Sequence, residues 1–180
     1  MKELKEQRLG HSFLTVDLLP GMSAPKTADE TSKSILEQNS STQLGFYPAS
    51  DVAVNPVNSY IPGTVVEPDN QFPAKGWESY TLTVKQLEAF YGFVASHRSA
   101  PYSVYLFNCT TFALKAVKAA GHSPPTGSDF NPVAMPNHVY AAIAADRDNG
   151  SKDGVAGTSP LDPSESESPV YRHQPREMGG

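Results

Sequence analysis

Apolar and polar positions alternate along two early stretches of the chain. His11–Leu19 is rich in apolar and β-branched residues and ends at a Pro-Gly pair, which is typical of a strand followed by a turn. Thr42–Tyr47 has the same character and predicts a second strand, closed by a proline. The polar connection between them, residues 22–41, carries one short helical pattern at Ser32–Gln38. We therefore expect two strands joined by a long connection.

The middle of the chain is proline-rich and weakly periodic. Within residues 49–76, only Gly63–Glu67 has the composition of a strand. Trp77–Leu82 is a further strand candidate, and Tyr102–Phe107 is an apolar, β-leaning run that stops at a polar residue. Together with the two earlier segments, these stretches predict a sheet.

Three stretches have helical periodicity. The first begins at Thr83, which together with Gln86 has the spacing of a capping box. The second runs from Cys109 to a terminating glycine, Gly121, and has a narrow face of small side chains suited to packing on a sheet. A shorter helix is expected over residues 137–146. The residues expected to face the core are Val84, Leu87, Phe90, Tyr91 and Val94, then Phe112, Ala113, Ala116, Val117 and Ala120, and finally Val139, Ala142 and Ile143.

The composition changes after these elements. Residues 149–180 are rich in Gly, Ser and Pro and keep only isolated apolar positions, which predicts a disordered tail. Residues 1–148 are then long enough for one domain with a real core. Their mixture of strands and helices predicts the α+β class.

Charge and cysteine content exclude several functions. The net charge is −5 and no Lys/Arg-rich run exists, which argues against a nucleic-acid partner. A single cysteine cannot form an internal disulfide or a multi-cysteine zinc site. The apolar runs are shorter than the roughly 20 residues of a membrane helix, so no stable membrane insertion is expected. Residues 1–10 lack the apolar core of a signal peptide, and we expect synthesis in the cytoplasm.

The junction between Tyr102–Phe107 and the second helix carries the candidate chemistry. Asn108 is an expected helix cap, and Cys109 follows it in the first helical turn. Helix N-termini offer unpaired N–H groups and a positive dipole end, both of which favour a thiolate. The position of the cysteine therefore predicts a nucleophile.

A cysteine nucleophile needs a base, and the chain has five histidines. Three are poorly placed for this role: His173, His97 and His122. His173 lies in the tail, and His97 follows the last turn of a core-facing helix. His122 lies at the far end of the cysteine's helix, about 16 Å from the cysteine. His11 begins an apolar strand where a polar ring has little structural purpose, and His138 is a reserve candidate. A zinc site of His11, Cys109 and His138 is an alternative, although no pair has close metal-ligand spacing.

Two motifs together resemble a known family. Gly10–Val16, followed much later by Asn108–Ala113, is similar to the circularly permuted branch of the NlpC/P60 papain-like superfamily, in which a strand-borne histidine precedes the cysteine. Gly45–Pro48 also resembles the second strand of such proteins. The resemblance implies a papain-like antiparallel sheet packed against the cysteine-bearing helix. It also implies amide or thioester cleavage, typically of peptidoglycan peptides.

The resemblance assigns roles to individual residues. Cys109 would be the nucleophile and His11 the general base, and the third, orienting residue would lie on the next strand, where Gln43 is our choice. The Cys109 backbone N–H is a candidate oxyanion donor. No metal or other cofactor is required.

The resemblance also bears on partners. Several small members without signal peptides are antibacterial toxins delivered by type VI secretion, which would imply export to a target-cell periplasm, an immunity protein and a secretion-system component as partners. Two alternatives stay open. One is a lipid or protein acyltransferase or thioesterase using the same Cys-His dyad, and the other is a catalytically inactive binding module.

Overall fold

The computed structural model describes residues 11–49, 60–69, 76–125 and 134–148. The elements in chain order are β1 Phe13–Asp17, α1 Glu30–Asn39, β2 Ser41–Pro48, β3 Ile61–Val66, α2 Val84–His97, β4 Pro101–Tyr102, α3 Cys109–Ala119 and α4 Pro136–Asp148. This is an α+β architecture, as the sequence predicts. The expected tail at 149–180 lies outside the described residues.

The four strands form one antiparallel sheet in the order β1-β2-β3-β4. In the centre of this sheet, Gly45 on β2 lies opposite Phe13 of β1 and Val66 of β3. Because side chains alternate along a strand, His11 falls on the same face as Phe13. Its ring stacks on Tyr47, the next outward residue of β2, with ring centroids 4.3 Å apart.

The opposite face of β2 carries the core. Leu44 and Phe46 are completely buried, and the Phe46 ring stacks on Phe112 of α3 with centroids 5.1 Å apart. The sheet therefore packs against the cysteine-bearing helix, and α2 packs beside α3. Burial of such large aromatic side chains supplies much of the driving force for this packing. The buried hydrophobic cluster is Val16, Leu18, Ala28, Leu36, Leu44, Phe46, Val65, Leu87, Phe90, Tyr91, Val94, Phe112, Ala116 and Ala120.

The helix ends follow the local sequence signals. Thr83 caps α2 in a complete capping box with Gln86, and Gly121 follows α3 with a φ of 80°, a left-handed conformation that favours glycine. Val84 is an exception to the expected apolar face, because it lies at the first helical position and is 65% exposed. The pattern at Ser32–Gln38 underestimates α1, which has ten residues.

A cluster of charged side chains fastens three elements together. The Arg98 guanidinium, just after α2, pairs with Asp29 Oδ2 at 2.5 Å and with Glu67 Oε2 at 2.7 Å. Asp29 also caps α1 by accepting the Ser32 N–H at 3.0 Å. The Glu67 side chain, which follows β3, is fully buried. The cluster therefore fixes the end of β3 against the start of α1 and the end of α2.

Two strand predictions are wrong. Trp77–Leu82 forms only an isolated bridge at Ser79 and no strand. This segment is held instead by side-chain contacts with the end of α3, where the Tyr80 hydroxyl donates to the Ser123 carbonyl at 3.1 Å.

Tyr102–Phe107 also fails to continue as a strand, because β4 ends at Tyr102 and the chain turns back so that Ser103 pairs with Phe107. The Ser103 hydroxyl accepts the Leu106 N–H at 3.2 Å inside this tight turn. In a longer strand, this N–H would have bonded to a neighbouring strand.

Across the described parts of the chain, no helix is both long and apolar enough to cross a bilayer.

Candidate active site

The start of α3 is fixed by one buried amide. Asn108 Oδ1 accepts the Thr111 N–H at 2.9 Å, which is the expected N-cap bond. Asn108 Nδ2 donates to the carbonyls of Val104 at 2.8 Å and Ala134 at 2.9 Å. The first helical turn, the tight turn before it and the segment before α4 are thereby held together. Cys109 is consequently presented from a rigid junction.

The Cys109 thiol lies next to His11 and Ser12, the two residues that precede β1. The residue is 7% exposed, and its sulfur is hydrogen-bonded to the His11 ring and to the Ser12 main-chain N–H. Thr110 Oγ1 lies 3.9 Å from the sulfur, within the range of a weak hydrogen bond. The structure therefore brings together the two residues that the sequence singles out as nucleophile and base, from positions far apart in the chain.

The His11 ring is held on two further sides. It stacks on Tyr47, and its Nε2 atom lies 3.3 Å from Oδ2 of Asp69. The same ring also contacts the Cys109 sulfur. The imidazole thus bridges a carboxylate and a thiol, which is the arrangement of an oriented general base.

Asp69 is the residue that sequence reasoning missed. It follows β3, its side chain is only 2% exposed, and its N–H donates to the Gln43 carbonyl at 2.9 Å. Its carboxylate accepts the Tyr47 hydroxyl at 3.0 and 2.8 Å. Gly45 leaves the space that this carboxylate occupies, because a Cβ at residue 45 would collide with Asp69 Oδ2. A glycine in the middle of a strand was the available signal that something approaches closely there.

Gln43 lies on β2 opposite Thr15, and its main chain rather than its side chain contacts Asp69. The Gln43 Oε1 atom is buried and has no hydrogen-bond partner among the described residues. The side chain seen against His11 is that of Asp69. The orienting role of Gln43 therefore remains a prediction from sequence alone.

The contacts of the dyad shift the pKa values of both members. Burial, the largest effect on His11, lowers its pKa, but the hydrogen bonds to Asp69 and Cys109 and the charges of those groups outweigh it and raise the pKa from 6.5 to about 9. For Cys109, burial raises the pKa, but the hydrogen bond and charge of His11, the Ser12 N–H and Thr110 together lower it. Both shifts favour a thiolate–imidazolium pair.

Two tyrosines surround this pair. Burial and the hydrogen bond to Asp69 raise the pKa of Tyr47, so its hydroxyl keeps its proton and donates to the carboxylate. Burial and the negative charge of Cys109 raise the pKa of Tyr102 to about 12. Tyr102, in β4, therefore lies close enough to Cys109 for the charge on the sulfur to affect the pKa of its hydroxyl.

Four histidines remain, of which His138, the reserve candidate, lies in α4 and His173 lies outside the described residues. His97 stacks on Phe93 with ring centroids 4.1 Å apart, and His122 lies 5.0 Å from the Tyr80 ring at the other end of α3. In the described ranges, no group of three or more His, Cys, Asp or Glu side chains is arranged to hold a metal ion.

Comparison of the chain with protein-family models, with curated proteins and with solved structures finds no match. The assignment of chemistry therefore depends on the geometry around Cys109. That geometry combines a cysteine at a helix N-terminus, a histidine that contacts it, and a buried carboxylate behind the histidine.

Proposed function

We propose that this protein is a papain-like cysteine hydrolase that cleaves amide bonds of peptidoglycan peptides. The single observation that carries the proposal is the position of His11, which contacts the Cys109 thiol on one side and lies 3.3 Å from Asp69 on the other. A buried inert cysteine has no need of an oriented imidazole or of a buried carboxylate behind it.

The proposed reaction begins from the ion pair, in which His11 already holds the thiol proton. The Cys109 thiolate attacks the amide carbonyl, forming a C–S bond as the carbonyl π electrons move to the oxygen. The imidazolium then donates its proton to the leaving amine as the C–N bond breaks. Water, deprotonated by His11, attacks the resulting thioester, the C–S bond breaks, and the acid is released as the thiolate–imidazolium pair is restored. Asp69 orients the imidazole and stabilises its positive charge in both half-reactions.

The oxyanion of each tetrahedral intermediate needs hydrogen-bond donors. The Cys109 main-chain N–H is one, because the first N–H groups of an α-helix have no acceptor within the helix. The positive end of the α3 dipole lies at the same place and stabilises the developing negative charge.

The peptidoglycan substrate and the delivery route come from the family resemblance of the two motifs. A small hydrolase carried into a competitor's periplasm would meet such peptides there. In this reading, an immunity protein would protect the producing cell, and a type VI component would carry the toxin.

The test is digestion of purified peptidoglycan followed by mass analysis of the products. Wild type should release cleaved peptides, and Cys109→Ala and His11→Ala should lower the rate by about a thousandfold or more. His122→Ala is the matched control, since that ring lies at the far end of α3, and it should retain the wild-type rate. Full digestion by Cys109→Ala would overturn the proposal. No digestion by folded wild type, combined with tight binding to a partner, would favour an inactive binding module.

A second candidate is transfer or hydrolysis of an acyl group by the same dyad. The observation in its favour is the turn leading into α3, where Tyr105 and Leu106 are 45% and 57% exposed. Exposed apolar side chains next to a nucleophile are suited to contact an acyl chain. Incubation with acyl thioesters and mass spectrometry of the intact protein separates the candidates, because only this one predicts accumulation of acyl-Cys109 from such donors.

A further inference from the structure

Two hydroxyl groups meet behind the nucleophile, and the mechanism above does not use them. Ser12 Oγ and Thr110 Oγ1 are 3.0 Å apart. Ser12 follows the base His11 at the entrance of β1, and Thr110 follows the nucleophile in the first turn of α3. This contact therefore joins the two dipeptides that carry the reacting groups.

Thr110 has few acceptors for its hydroxyl proton. The residue is completely buried, and a buried hydroxyl that donates to nothing is costly. A threonine inside a helix commonly donates to the carbonyl four residues earlier, but here that residue, Leu106, lies in the turn before α3. Among the described residues, the partners of the Thr110 hydroxyl are Ser12 Oγ and the Cys109 sulfur.

The direction of the hydrogen bonds follows from proton counting. A thiolate has no proton and can only accept, so Thr110 must be the donor in its contact with Cys109. Its single proton is then used, and the bond between the two hydroxyls must be donated by Ser12. The result is a directed chain from the Ser12 hydroxyl through Thr110 to the sulfur, and hydrogen bonds in such chains strengthen one another.

We propose that Thr110 is a positioning residue, which receives a hydrogen bond from the Ser12 hydroxyl and donates one to the Cys109 thiolate, holding the sulfur against His11. Ser12 contributes to the same sulfur twice, directly through its main-chain N–H and indirectly through Thr110. The inference rests on the proposed role of Cys109 as a nucleophile. It adds that the anion is stabilised by two hydroxyl-bearing residues as well as by the base.

Other ionisable groups also act on this sulfur, and the test must hold them constant. His11 contacts the sulfur directly. Tyr47 in β2 and Tyr102 in β4 interact with its charge. Asp69 acts through His11. Thr110→Val changes none of these groups and keeps the shape of the buried side chain, and Thr110→Ser keeps the hydroxyl.

The experiment measures formation of the thiolate against pH by ultraviolet difference absorbance, with Cys109→Ser as the blank. Alkylation by iodoacetamide is followed in parallel, and the single cysteine makes both signals specific. We expect Thr110→Val to move the ionisation of Cys109 to higher pH and to lower alkylation by about three- to tenfold on the acidic limb of the profile, where the thiolate is only partly formed, which is the effect of one ordinary hydrogen bond. Thr110→Ser should restore the wild-type profile, and Ser12→Ala should give a smaller shift in the same direction.

An unchanged profile in folded Thr110→Val would overturn the inference. If that variant does not fold, an unchanged profile in Ser12→Ala overturns it instead. Failure of the proposed function looks different: the Thr110 effect on the thiolate would be present, while peptidoglycan and acyl thioesters would remain uncleaved by wild type.

Discussion

The Asp69 carboxylate lies over Gly45, at a place that any side chain on residue 45 would occupy. Asp69 follows β3, and this close approach places its Oδ2 atom over β2, within 3.3 Å of His11 Nε2. The contact of Asp69 with the His11 ring thus depends on the absence of one Cβ atom. Gly45→Ala tests this dependence.

We expect Gly45→Ala to displace Asp69 and to lower hydrolysis by about a hundredfold, because the new methyl group would collide with Asp69 and with the Tyr47 ring. Gly92→Ala is the matched control, since a Cβ at Gly92 in α2 meets nothing within 4 Å. It should keep full activity and gain about 0.5–1 kcal/mol of stability from better helix propensity. Hydrolysis rates and thermal unfolding of both variants test these expectations. Equal activity of the two would show that Asp69 need not occupy its position.

The pH dependence of kcat/KM should be bell-shaped. Activity should rise with pH as Cys109 becomes a thiolate, at a pH below that of an ordinary thiol, because His11 lowers the pKa of Cys109. It should fall as His11 loses the proton that the leaving amine needs, at a pH near 9. A profile with its basic limb near 6.5, the ordinary value for histidine, would contradict the ion pair.

Asp69→Asn should move the basic limb of that profile to lower pH by about one to three units, because the carboxylate contributes to the raised pKa of His11. The amide still accepts the Tyr47 hydroxyl, so the fold should persist. Gln43→Ala is the comparison that separates the two candidate orienting residues, and we expect it to leave the basic limb in place. A shift in Gln43→Ala and none in Asp69→Asn would return the role to Gln43.

Arg98→Met should destabilise the protein by about 3–5 kcal/mol, because it leaves the fully buried carboxylate of Glu67 without its cation. The double variant with Glu67→Gln should recover part of that loss, since it removes the uncompensated charge. Lys33→Met is the control: Lys33 pairs with Glu30, whose side chain is 93% exposed, and such surface pairs contribute only about 0–1 kcal/mol. Denaturant unfolding of the four proteins measures the differences, and equal losses in Arg98→Met and Lys33→Met would contradict the expectation.

Local signals were sufficient for much of the fold. The capping residues Thr83 and Asn108 and the terminating Gly121 mark α2 and α3 correctly, because capping involves only neighbouring residues. The strand predictions at Trp77–Leu82 and Tyr102–Phe107 failed because apolar composition does not reveal whether a pairing partner exists.

The candidate site also contains residues that the local sequence indicates and one that it does not. The position of Cys109 follows from a local junction, and His11 was found because it disrupts the apolar character of a strand. Asp69 lies in a proline-rich, aperiodic segment, and what brings it to His11 is the sheet register and the gap at Gly45. Contacts of this kind depend on tertiary structure, so no sequence window contains them.

The hydrogen bonds to the Cys109 sulfur also have a consequence for the newly made chain. Two of its partners, His11 and Ser12, come from the entrance of the first strand, and the sulfur belongs to the third helix. In the unfolded chain these groups are separated, so the thiol has the modest reactivity of any free cysteine. The lowered pKa of the Cys109 thiol therefore arises only when the residues before β1 meet the start of α3, so folding itself creates the thiolate.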